Sequence, residues 1–127
     1  VREIFGRYVH AGALSRDADA LADLFTEDGV FEAPLVPDGH VFPNHLVGRD
    51  AIRAGMAEYY RLPAGAQGTV DTTRSSYVLH DTADPDVFIA EIDTVVDGVA
   101  KSLVQIVRLR DGKIARLRDY FAPDSVA

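Results

Sequence analysis

The chain has 127 residues, 47% hydrophobic and 26% charged, the size of one domain with a single core. Twenty acidic against thirteen basic residues leave a formal charge of −7; this argues against a nucleic-acid or anionic-membrane partner, because phosphate binding needs a basic footprint. Cysteine is absent, which excludes disulfides, thiolate metal sites and a cysteine nucleophile.

No apolar run reaches the length of a bilayer span and no signal-peptide pattern opens the chain, so the expectation is a cytoplasmic single domain over residues 1–127. Ile4, Phe5, Tyr8, Val9 and Gly12 recur at helical steps and predict an amphipathic helix over residues 1–13. The pattern starts without a cap, as if residues preceded Val1. Ser15 or Asp17 is an N-cap for a second helix through Leu21, Leu24 and Phe25, closed by Thr26-Glu27-Asp28-Gly29. Gly29 is expected to supply a turn conformation there.

Val30 to Ala33 reads as a short strand stopped by Pro34. Three prolines, one glycine and two histidines between residues 34 and 47 predict a long irregular loop, a common carrier of function. Gly48-Arg49-Asp50 starts a third helix with Ile52, Met56, Tyr59 and Tyr60 on its buried stripe; Pro63 and Gly65 end it. From Gly68 onward the period is two, with strands over about 69–80, 86–97, 100–110 and 113–121. Asp97-Gly98 and Asp111-Gly112 are hairpin signals. Helices first and a meander second is the α+β layout.

Alternation in the second of these strands puts Glu91 and Asp93 on one side with Ile89 and Val95. Two registers fit the last hairpin. A two-residue loop sets Val104 opposite Asp119. A three-residue loop with a glycine bulge sets Leu103 opposite Asp119 and Gln105 opposite Leu117. The second is preferred, since it gathers Leu103, Gln105, Val107, Ala115, Leu117, Asp119 and Phe121 on one face and Arg108, Arg116 and Arg118 on the other. Asp119 and Gln105 are then polar groups in an apolar face, which requires an explanation.

The run Ala20 to Phe31, the segment Gly48-Arg49-Asp50-Ala51-Ile52 and the ending Asp111-Gly112-Lys113-Ile114 through Arg118-Asp119-Tyr120-Phe121 together resemble the SnoaL-like branch of the nuclear-transport-factor-2-like superfamily. The resemblance implies a cone: a curved, mixed or antiparallel sheet wrapped on three N-terminal helices around a deep, mostly apolar pocket. The outer sheet face would serve a homodimer, and Val104 and Ile106 lie there among arginines. Against ketosteroid isomerase, Tyr8 matches the catalytic tyrosine and Gln105 falls near the second oxyanion donor. The base position is Ala33, before Pro34, so Glu32 or another carboxylate would have to act. Against limonene-epoxide hydrolase, Asp119 and Asp93 match the two acids, while Glu91 stands where the bridging arginine would be. Phenazine-biosynthesis proteins are similar at the loop from Pro34 and at the ending.

The expected chemistry is therefore cofactor-independent acid–base work on a small apolar molecule, of the kind found in polyketide or terpenoid secondary metabolism: cyclisation, isomerisation, dehydration or epoxide opening. Asp119, Asp93, Glu91 and Tyr8 are the candidate catalytic residues, with Tyr8 and Gln105 as oxyanion donors. Gln105, His45, Phe25, Phe31, Tyr59 and Leu117 are the candidate substrate contacts, His45 as a lid residue. The competing reading is a non-catalytic ligand-binding or dimerisation module. In it Tyr8 and Gln105 are structural, Asp119 accepts from Arg118 or Arg116, and Glu91 is solvated or pairs with Arg74. The histidines have no ligand spacing, so no metal site is expected.

Overall fold

In the computed structural model, residues 2–62 and 70–123 are described. Helix α1 (Arg2–Val9) continues into a π-helical segment, His10–Leu14. Its apolar stripe of Ile4, Phe5 and Tyr8 is buried. Helix α2 (Ala18–Ala22) begins as the capping rule requires: Asp17 has extended backbone angles and its carboxylate accepts from Ala20 N at 3.0 Å.

This helix ends earlier than the periodicity suggests. Phe25 already opens strand β1 (Phe25–Glu32), because the neighbouring strand claims this backbone: Ile114 N donates to Leu24 O at 2.8 Å and Phe25 pairs with Ile114. Tertiary pairing overrides local helix propensity here. The turn expected at Gly29 is replaced by an irregularity inside β1, between Phe25 and Val30. Gly29 matters for space rather than for a left-handed backbone: an added Cβ would lie 3.0 Å from Thr26 O and 3.1 Å from Phe25 Cβ.

The proline-rich loop carries a short strand, β2 (His45–Val47), antiparallel to β1. Helix α3 (Arg49–Tyr60) follows Gly48, whose φ of 94° needs a glycine. The guanidinium of Arg49 donates from Nε and Nη2 to Phe25 O, at 3.0 and 2.7 Å, and ties α3 to β1. Ile52 and Met56 are buried beneath it, with Tyr59 and Tyr60 half-buried. The proposed terminators Pro63 and Gly65 lie outside the described residues.

Three long strands and a shorter one follow: β3 (Ser76–Asp81), β4 (Val87–Val96), β5 (Val99–Arg110) and β6 (Lys113–Tyr120). β3 starts later than expected; Val70 makes only an isolated bridge to Val96. The strand order is β2-β1-β6-β5-β4-β3, with β1 parallel to β6 and every other neighbour antiparallel. Asp97-Gly98 and Asp111-Gly112 each have two consecutive positive φ angles, 51° and 80°, then 53° and 78°, the signature of tight two-residue hairpin loops.

Neither expected register of the last hairpin is observed. The tight loop pairs Arg110 with Lys113 and Leu109 with Ile114, then one extra residue, Ala115, is accommodated as a bulge and Arg108 meets Arg116. Beyond the bulge Val107 opposes Leu117 and Gln105 opposes Asp119. Beyond the bulge the side-chain faces come out as expected, although the pairing partners differ; on the turn side of it Ile114 is buried in the core in place of the expected Ala115. Phe5, Tyr8, Leu21, Ile52 and Met56 pack with Phe25, Phe31, Phe88, Val107 and Leu117 into one core between helices and sheet. No helix among the described residues is long and apolar enough to cross a membrane.

Candidate active site

Asp119 stands on β6 directly opposite Gln105 on β5, and Gln105 in turn opposes Ala90 on β4. Both polar side chains are set into the helix-facing side of the sheet, 7% and 5% exposed. Arg116 and Arg118 point to the other side, where Glu32 takes them up at 2.7 and 3.8 Å. The arginine partners expected for Asp119 are thus occupied elsewhere, and so is the carboxylate of Glu32.

Two adjoining cavities open over this pair. The larger, about 320 Å³, is lined by Tyr8, Val9, Ile92, Thr94, Leu103 and Gln105, with Ser75, Ser76 and Tyr77 at its β3 end. The smaller, about 200 Å³, is lined by Phe42, Tyr59, Ser102, Asp119 and Phe121. Ala13, Thr94 and Leu103 belong to both and form the common wall. Phe42 lines the smaller one, its ring centroid 4.8 Å from that of Tyr59 and 5.0 Å from that of Phe121.

Burial removes Asp119 from water and pushes its pKa up to about 7, against a weaker lowering from the hydrogen bond of Gln105. Tyr8 is raised well above the ordinary phenol value, first by burial, then by the charges of Asp119 and Tyr60. The pair has a clear division of roles near neutral pH: a carboxyl that can gain or lose a proton, and a phenol that keeps its own and can only donate it in a hydrogen bond. Tyr8 is held by ring contacts to Phe5 and Phe25, with centroids 6.1 and 6.5 Å away.

Several sequence-derived placements need correction. Glu91 and Asp93 are on the outer face of the sheet, exposed: Glu91 pairs with His80 across β3 and β4 rather than with Arg74, and Asp93 accepts from Ser102 Oγ at 2.7 Å. They do not join Asp119 in the cavity. His45 is exposed on β2 and is no lid. Phe25, Phe31 and Leu117 are fully buried in the core, which supports the cavity from beneath without lining either compartment. Gln105 stands opposite Asp119 and lines the larger cavity together with Tyr8. The structure does bring the four to adjoining cavities, Tyr8 and Gln105 to the larger and Asp119 and Tyr59 to the smaller.

Thr94, Phe42 and Ser75 were not foreseen. Phe42 could not have been, since its position depends on the path of the Pro-rich loop. Thr94 had a signal: it shares parity with Phe88, Ala90 and Ile92. Among the described residues no three or more His, Cys, Asp or Glu gather as a metal site.

The SnoaL-like domain model matches residues 5–117. An uncharacterized PhzA/B-like protein of Pseudomonas aeruginosa is 33% identical over 91% of this chain and 81% of its own length. Among solved structures, a Bacillus subtilis protein provisionally named an isomerase superposes with a TM-score of 0.73 at 26% identity, covering 94% of this chain and 84% of that one. A Catenulispora acidiphila protein with a ketosteroid isomerase-like fold gives 0.69 at 19% identity, over 98% and 88% of the two chains. A phenazine biosynthesis-related protein of Pseudomonas aeruginosa gives 0.65 at 20%, over 94% and 73%.

Proposed function

Given that this chain belongs to the SnoaL-like domain family, we propose that it is an acid–base enzyme that moves a proton within a small, mostly apolar, carbonyl-bearing molecule, without help from a bound cofactor. One observation carries the reading. Asp119 is a buried carboxyl lining a mainly apolar cavity, poised to titrate at about pH 7, and the protonated Tyr8, which lines the adjoining cavity, feels its charge. A carboxylate with no countercharge is a poor choice for stability alone.

In this mechanism the Asp119 carboxylate takes a proton from the carbon next to the substrate carbonyl. The electron pair left behind moves onto the carbonyl oxygen, where the Tyr8 O–H donates a hydrogen bond to the developing oxyanion. The carboxylic acid so formed returns the proton to another carbon, which is isomerisation, or protonates the product of ring closure. Phe42, Tyr59 and Phe121 give the smaller cavity an apolar lining, which lowers the dielectric around Asp119. The isomerase and phenazine-biosynthesis names among the relatives support this class of chemistry.

The test is proton exchange. Small apolar ketones such as 1-tetralone are screened for binding, and those that bind are incubated with the protein in D2O and followed by NMR. Accelerated deuteration next to the carbonyl by the wild type, lost in Asp119→Asn, is the expected result. If bound ketones exchange no faster than in buffer, the reading fails and the cavity is one that only binds.

A further inference from the structure

Tyr8 lines the larger cavity and Asp119 the smaller. In the proton transfer above, the carbon that faces Asp119 and the oxygen that faces Tyr8 are attached to one carbonyl carbon. The substrate carbonyl must therefore lie where the two cavities meet. Three residues line both: Ala13, Thr94 and Leu103. Ala13 and Leu103 are apolar, so Thr94 brings the one polar side chain to that junction among the described residues.

Strand alternation carries Thr94 there. It ends the helix-facing row Phe88, Ala90 and Ile92 of β4 and pairs with Lys101 on β5. On the helix side the π-helical turn over His10–Leu14 does the corresponding work. Residues five apart diverge on an α-helix, but the wider turn brings Tyr8 and Ala13, and likewise Val9 and Leu14, to the same cavity.

A threonine hydroxyl has one hydrogen to donate. That of Thr94 makes no hydrogen bond with any described residue, yet its oxygen is not sealed in the interior. Ser75 in the larger cavity and Ser102 in the smaller are by contrast engaged. Ser75 donates to Asp71 O at 2.7 Å and accepts from Val95 N at 3.0 Å, and Ser102 donates to Asp93 Oδ1 at 2.7 Å. Ser76 and Tyr77 border the larger cavity alone.

We propose, resting on the acid–base reading, that Thr94 is a second oxyanion donor: its hydroxyl donates a hydrogen bond to the substrate carbonyl oxygen alongside that of Tyr8 and holds the carbonyl across the junction of the two cavities. The bond strengthens as negative charge gathers on that oxygen, so its benefit falls on the chemical step rather than on binding.

Deuterium exchange of a bound ketone, 1-tetralone first, is followed by NMR in the wild type, Thr94→Val and Thr94→Ser, over a range of ketone concentrations and from pH 5 to 9. Valine keeps the branched shape of threonine without the hydroxyl; serine keeps the hydroxyl. Thr94→Val should lower kcat by about 10–10²-fold with KM within about twofold, less than the usual loss for one oxyanion donor, because an aliphatic hydroxyl is a weaker donor than a phenol. Thr94→Ser should recover to within about threefold of wild type. The pH midpoint of exchange should be the same in all three, because the hydroxyl acts on the substrate and not on Asp119.

Unimpaired exchange in Thr94→Val overturns the proposal. So does a loss that serine fails to restore, which would make Thr94 a packing residue, or a rise in KM that accounts for the whole effect. A shifted pH midpoint also overturns it, by placing the action of Thr94 on Asp119. Should Thr94→Val lose its native circular dichroism, Thr94→Ala against Thr94→Ser decides in its place. A wild type that exchanges through Asp119, with Thr94→Val unimpaired, overturns this donor and leaves the acid–base reading intact. A wild type that binds ketones without exchanging them, or binds none, overturns both.

Discussion

Gln105 and Asp119 oppose each other across β5 and β6, yet each keeps one buried oxygen without a partner, Oε1 and Oδ1. The pair therefore leaves part of its hydrogen-bonding capacity unused inside the protein. Its clearest consequence is on stability. Below pH 3.8 the Asp119 carboxyl is neutral whether the chain is folded or not; between 3.8 and about 7 the unfolded chain ionises it while the folded one retains the proton. The folded state binds more protons in that window, so stability falls as pH rises through it and levels above about 7. Asp119→Asn removes the dependence. At pH 8 the variant should be more stable than the wild type by about 2–4 kcal/mol, and equally stable near pH 3.5, as urea denaturation at both pH values would show.

Activity should respond in the opposite sense. Asp119→Asn should abolish proton exchange at bound ketones, and the wild-type rate should rise with pH to a plateau above about 7 as the base form accumulates. A flat pH–rate profile between pH 5 and 9 would contradict the assigned base.

Tyr8→Phe removes one hydroxyl and keeps the ring against Phe5 and Phe25. Turnover should drop about 10²–10³-fold, the usual loss for one oxyanion donor, with little change in KM. The melting temperature should move by only a few degrees. A variant with wild-type turnover would make Tyr8 a packing residue.

Glu91→Gln and Asp93→Asn give the contrast. Both side chains are exposed on the far face of the sheet, so each variant should retain proton exchange within about twofold and stability within about 0.5 kcal/mol of wild type. Loss of activity in either, with the fold intact, would place chemistry on that face.

Gly29→Ala tests the backbone. The new Cβ would meet the Thr26 carbonyl oxygen at 3.0 Å, and since that oxygen is backbone it cannot rotate away. A destabilisation of about 1–3 kcal/mol by chemical denaturation is expected, the cost of an overpacked interior.

Much of the architecture was readable from particular residues. Asp17 ahead of Ala18, Gly48 ahead of Arg49, and the two Asp-Gly loops fix where elements begin and turn, because each meets a local backbone requirement. The parity of Glu91 was also there to be read. Counting outward from the Asp97-Gly98 loop pairs Val96 with Val99 and thus Ala90 with Gln105, so a cavity-facing Gln105 forces Ala90 inward and Glu91 out. Apolar residues on both sides of β4, Ile89 and Val95 against Phe88, Ala90 and Ile92, concealed this. The extra residue at Ala115 has no local signature, since it reconciles the tight turn with a distant pairing. Nor could the loop from Pro34 reveal that Phe42 would reach Tyr59 and Phe121. Such contacts depend on where separate elements meet, which no short window of sequence contains.

The strand order places β1 beside β6, so Glu32 reaches across 84 positions of chain to Arg116. That arrangement has a meaning in time. As the chain is synthesised, β1 can pair with β2 along one edge soon after both appear, but its other edge stays open until nearly everything else has been made. Pairings this distant are slow to form, and an open edge is a place for wrong partners. The strand that finally closes the edge is also the one that carries Asp119. Closure of the sheet and arrival of the proposed base are one event, so a chain interrupted before β6 should show neither a stable sheet nor partial activity.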